Sequence, residues 1–100
     1  MFIGIGRYEF FLPLSESLKD KRRVLRSVTM VVNKRFNVSI AEVDHQDLWQ
    51  RASLGVTCVS GSMDQCHQVL EEVERTMEKV AIEGAEIVGR ERRFVSMEDL

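Results

Sequence analysis

"VSIAEVDHQDLWQRASLGVTCVSG", residues 38–61, decides the architecture, because it sets two strands in succession between two helical segments. "VSIAEV" (38–43) reads as a short strand, and "LWQRASLGVTCVS" (48–60) as a longer one with a period of two. In the longer run Ala52, Leu54, Val56 and Cys58 fall on one face, and Arg51, Ser53 and Thr57 on the other. Between the two runs "DHQD" (44–47) has the composition of a turn, since Asp side chains bond their own nearby backbone. Gly61 then breaks the chain.

Upstream, Leu18, Leu25, Val28, Val32 and Phe36 recur at helical spacing, widened by Val24 and Val31. Ser17 and Asp20 form an S-x-x-D capping box in front of them, and Asn37 suits the far end. Ahead of that helix, residues 2–12 predict a long strand ending at Pro13. Its parity is imperfect: Tyr8, Phe10 and Leu12 share one face, Ile3 and Ile5 the other, with Gly4 and Gly6 between. A bulge, or a strand apolar on both faces, accounts for that.

Downstream, Ser62 and Gln65 make a second capping box. Cys66, Val69, Leu70, Val73, Met77 and Val80 form the apolar stripe of a helix to about Ala81, with Glu71, Glu72, Glu74 and Glu78 on its other faces. Gly84 stops it, and "AEIVGRERRFV" (85–95) reads as a last strand. The order β-α-β-β-α-β predicts one α+β domain over residues 1–100. It is a ferredoxin-like sandwich, two helices on one face of a four-stranded antiparallel sheet. The other face is then open, with Ile3, Ile5, Phe11 and Val59 as a candidate apolar patch. A homodimer, or another protein-interaction role for this face, is therefore one expectation.

The composition is that of a globular chain: 44% apolar, 30% charged, net charge −2. That balance excludes a protein that coats nucleic acid by bulk electrostatics. The charge is unevenly placed, however. Residues 15–36 hold seven Lys or Arg against Glu16 and Asp20, whereas residues 61–100 hold five against ten Asp or Glu. At 100° per residue, Lys19, Arg22, Arg23 and Arg26 fall on one arc of the first helix, and Lys21 projects nearer the core side. Cations in a first turn oppose the helix macrodipole. Two explanations stand: pairing with the acidic second helix, or an anion site where Lys and Arg meet phosphate.

Motifs for catalysis are lacking. Cys58 and Cys66 match no metal or redox spacing and lie on apolar faces, as small buried hydrophobes do. His67 adjoins Cys66, but adjacent helix residues point apart. No G-x-S-x-G, HExxH or P-loop spacing is present. "PLSES" lacks the Gly-rich, Arg-containing cradle of acylphosphatases. Asp44, His45 and Asp47 suit either a turn or a metal, and turn chemistry is the simpler account. The chain is therefore expected to be no enzyme and to carry no cofactor. The third strand offers no aromatic after Trp49, which argues against sheet-face reading of RNA. Trp49 and Arg51 remain candidate interface residues. The opening "MFIGIGRYEFFLP" is short and contains Arg7 and Glu9, unlike a signal peptide or a membrane span, so a cytoplasmic location is expected.

Three blocks, "SLKDKR" (17–22), "RFNVSIAEV" (35–43) and "DLWQRASLGV" (47–56), resemble the YlxP-like family of small bacterial proteins. That resemblance implies the ferredoxin-like fold and, from gene neighbourhoods rich in ribosome-maturation genes, a role around ribosomal RNA or a ribosomal subunit. It carries over no catalytic residue. With it, Lys19, Lys21, Arg22, Arg23 and Arg26 become the candidate phosphate contacts.

Overall fold

The computed structural model describes residues 1–81 and 84–100. Its elements are β1 (Phe2–Phe11), α1 (Leu18–Arg35), β2 (Ser39–Asp44), β3 (Arg51–Ser60), α2 (Met63–Ala81) and β4 (Glu86–Ser96), followed by a short 3-10 turn, Met97–Asp99. The strands form one antiparallel sheet in the order β2-β3-β1-β4. This is the ferredoxin-like arrangement expected of the βαββαβ order.

Alternation explains which face is covered. Tyr8, Phe10 and Leu12 pack under the helices with Ala52, Leu54, Val56 and Cys58 of β3. Leu25, Val28 and Val32 of α1, and Cys66, Leu70, Val73 and Met77 of α2, close over them. Gly4 and Gly6 belong to that same inward face, so the parity of β1 never slips against β3. The glycines stand where the covering groups come closest. A Cβ on Gly6 would sit 2.7 Å from the Tyr8 ring, and one on Gly4 would sit 2.9 Å from Cys58 Sγ. Ile3 and Ile5 lie on the other face, making this end of β1 apolar on both sides. The irregularity is against β4, between Glu9 and Phe10.

Ser17 caps α1: its Oγ accepts the Asp20 N–H at 3.1 Å. The Asp20 carboxylate bonds back to the N–H of Glu16 at 3.0 Å, one residue before the cap itself. An acidic group thus faces the helix start and opposes the surrounding cations. Phe36, in extended geometry, ends the helix one residue before Asn37. In α2, Gln65 N–H donates to Ser62 Oγ at 3.3 Å.

Two strand limits differ from expectation. β2 runs one residue later than residues 38–43, and β3 begins at Arg51, not at residue 48. Residues 45–50 form a loop, and the carbonyls of two of them, His45 and Gln46, accept from a side chain of α1.

Candidate functional site

That side chain is Lys21, which is 1% exposed. Its Nζ donates to the carbonyls of His45 (2.8 Å), Gln46 (3.1 Å) and Arg51 (3.4 Å), and stands 2.9 Å from Glu42 Oε2. The ammonium thus supplies a partner to carbonyls of His45 and Gln46, which lie outside the sheet ladder. His45 takes up a left-handed conformation (φ 62°), and its carbonyl also accepts the Leu48 N–H at 3.0 Å. Lys21 is therefore separated from the other four candidate cations and holds the loop in place from beneath.

Lys19, Arg22, Arg23 and Arg26 are exposed and together line one shallow groove on the outer face of α1. No carboxylate among the described residues pairs with any of them within 4.0 Å. The acidic helix α2 turns its charges elsewhere. Glu74 binds Arg90 (2.9 Å) and Arg92 (2.8 Å), and Glu78 binds Arg90 (2.8 Å). Glu72 pairs with Arg75 on its own helix at 3.1 Å. Glu74 and Glu78 of α2 are thus engaged by the arginines of β4.

Trp49 and Arg51 are brought together at the other end of the Lys21 contact. Trp49 is 54% exposed on the loop, and Arg51 is exposed at the first position of β3. With Phe11, Asp47, Leu48 and Gln50 they line a cavity of about 400 Å³.

A third cluster escaped the sequence reading. On the open sheet face Arg7 Nε binds Glu9 Oε1 at 2.8 Å, and Arg7 Nη2 binds Asp44 Oδ2 at 3.1 Å. Ser53 Oγ donates to the Glu9 carboxylate, and His45 Nε2 lies 3.6 Å from it. Burial pushes the Glu9 carboxyl up, but the bonds from Ser53 and Arg7 outweigh it and hold it below its ordinary value. Asp44 is held down by the His45 N–H and then by Arg7. The signal was the period-two placement of polar residues at 7 and 9 on the first strand and at 53 on the third. Ser53 is fully buried and its proton goes to a carboxylate, so it presents no accessible nucleophile.

Among the described residues no group of three or more His, Cys, Asp or Glu side chains is arranged to hold a metal ion. Asp44 is engaged by Arg7 and by the His45 N–H, while Asp47 faces the Trp49 cavity. Cys58 and Cys66 are both buried and free. No described helix is long and apolar enough to cross a membrane.

Residues 3–92 match the family described as "Protein of unknown function (DUF503)". The chain is 42% identical over 71 residues to the "Uncharacterized protein YlxP" of Bacillus subtilis, covering 71% of this chain and 77% of that one. Among solved structures it resembles a de novo designed protein with ferredoxin fold (TM-score 0.50, 14% identity, 97% of this chain and 88% of the other). It also resembles a C-terminal segment of the alpha subunit of aIF2 from Pyrococcus abyssi (TM-score 0.51, 17% identity). That likeness covers 100% of this chain and 52% of the other, so this chain spans about half of it. At these identities the structural likenesses establish the fold.

Proposed function

The chain belongs to the DUF503 family, and we propose that it is a non-catalytic RNA-binding module, with ribosomal RNA or a ribosomal subunit as its partner and the outer face of α1 as its contact. The support is the state of four cations. Lys19, Arg22, Arg23 and Arg26 share one groove with no carboxylate partner among the described residues. Like charges so placed repel one another, and the repulsion is relieved when each meets an anion. Phosphates spaced along a nucleic-acid backbone do this and release counterions as they bind. With an overall charge of −2, such binding rests on a local basic face rather than on the charge of the whole chain.

Self-association has its own supporting observation. Ile5 and Val59 are 39% and 65% exposed on the open sheet face, beside Ile3 and its cross-strand partner Val95. A dimer through this face leaves α1 outward on both copies, so it is compatible with RNA binding.

Affinity purification from cells that naturally make the protein tests the RNA reading. Ribosomal RNA should co-elute at low salt and disappear at high salt. A preparation free of RNA at low salt would overturn it.

A further inference from the structure

The geometry points to a nucleobase pocket at the tip of the β2–β3 loop, where Trp49 stacks on one unpaired base of the RNA whose phosphates lie along α1; this rests on the RNA-binding reading above. The cavity of about 400 Å³ has an apolar part, made by Phe11, Leu48 and Trp49, and a polar part made by Asp47, Gln50 and Arg51. Trp49 and Leu48 are 54% and 48% exposed, although the core beneath is closed. A large aromatic left in water at a loop is suited to a flat ligand.

The platform is held at many points. Lys21 grips three of its carbonyls. Leu12 N–H donates to Gln50 O at 2.9 Å, and Gln50 Nε2 reaches the carbonyls of Pro13 (3.2 Å) and Ser15 (3.4 Å). Little order therefore has to be gained on binding.

The chemistry of the lining selects the occupant. The Asp47 carboxylate repels phosphate and accepts from N–H groups, while the Arg51 guanidinium donates to ring nitrogens and carbonyl oxygens. A nucleobase is flat, uncharged and carries both kinds of edge. An aliphatic side chain of a partner protein would leave both charges desolvated without compensation. Lys21 lies between Lys19 and Arg22 and ties that turn of α1 to the loop, while Phe11 and Arg51 are cross-strand partners on the open sheet face, so one RNA strand reaches both sites only by passing round the loop. A base must leave its helix to stack this way, so the ligand is single-stranded or looped RNA.

Trp49 is the only tryptophan, so its emission reports on the pocket directly. The full chain is titrated with single-stranded oligoribonucleotides of about eight nucleotides and with a duplex of equal length. Single strands should quench the emission and the duplex should not. Trp49→Ala should weaken single-strand binding by about five- to a hundredfold with an unchanged salt slope, while Trp49→Phe keeps most of the affinity. Circular dichroism verifies that both variants stay folded. Binding that leaves the emission unchanged and ignores Trp49→Ala would overturn the pocket and leave RNA binding standing. Equal quenching by the duplex also overturns it, as does an emission shift driven by protein concentration alone, which gives the pocket to a second copy. Absence of any RNA binding removes the parent reading and the pocket together.

Discussion

The ammonium of Lys21 on α1 stands 2.9 Å from the carboxylate of Glu42 on β2, and the same ammonium holds two loop carbonyls and that of Arg51 at the start of β3. One buried cation thereby ties the first helix to the hairpin that carries Trp49.

Lys21→Met keeps the stem but strands Glu42 and three carbonyls. Removing one partner of a buried ion pair costs about 3–5 kcal/mol, and the partial exposure of Glu42 lowers the expectation to about 2–3 kcal/mol. Urea unfolding reads this directly. A midpoint equal to wild type would show that the loop does not depend on the lysine. Glu42→Gln leaves the carbonyls bonded but the buried ammonium without its counter-charge, and should cost about 2–3 kcal/mol as well.

Gly6→Ala places a methyl 2.7 Å from the ring of a fully buried tyrosine. Tyr8 has nowhere to retreat, so overpacking should cost about 1–3 kcal/mol in the same unfolding experiment. Gly61→Ala, which meets nothing within 4 Å, is the matched control.

The fold was legible because alternation and helical spacing agreed along almost the whole chain. Ala52 to Cys58 and Leu25 to Val32 all reached the core faces their spacing assigned. The start of β3 was not legible, because Leu48 and Trp49 look like strand residues and the side chain that binds the loop carbonyls sits on another element, at Lys21. Helical angle had already put Lys21 on the core side, but only tertiary contact shows that its charge is consumed there. The Arg7–Glu9–Ser53 cluster was hidden for a related reason. Ser53 is more than forty residues from Arg7 and Glu9 and meets them only through strand pairing. The outward arc of α1 depends on one helix alone, and its geometry could be read directly.

Acid should weaken the open-face cluster in a defined direction. Glu9 and Asp44 are held below their ordinary values of 4.5 and 3.8. Carboxyls depressed in the folded state bind fewer protons than in the unfolded chain. Their contribution is therefore complete above those ordinary values and is lost as pH falls through the folded ones. Unfolding midpoints between about pH 6 and pH 3 should fall with acid, and Arg7→Gln should flatten that fall. Parallel curves for the two proteins would remove Arg7 from the account.

Burial pushes the Cys58 thiol up, and both cysteines lie within the core. Thiolate is the reactive form, so an aromatic disulfide reagent should label neither residue in the native protein and both in denaturant. Rapid native labelling would mean that the β3–α2 end opens readily.

The cations on the outer face of α1, which have no carboxylate partner among the described residues, are proposed to contact phosphate. The most direct test is the salt dependence of affinity for a single-stranded ribosomal RNA fragment, comparing wild type with Arg22→Gln, Arg23→Gln and Arg26→Gln combined. Each phosphate neutralised contributes about −0.7 to the log–log slope, so losing three contacts should reduce its magnitude by about 2 and weaken binding at low salt. An unchanged slope and affinity in the triple variant would show that these arginines do not meet phosphate.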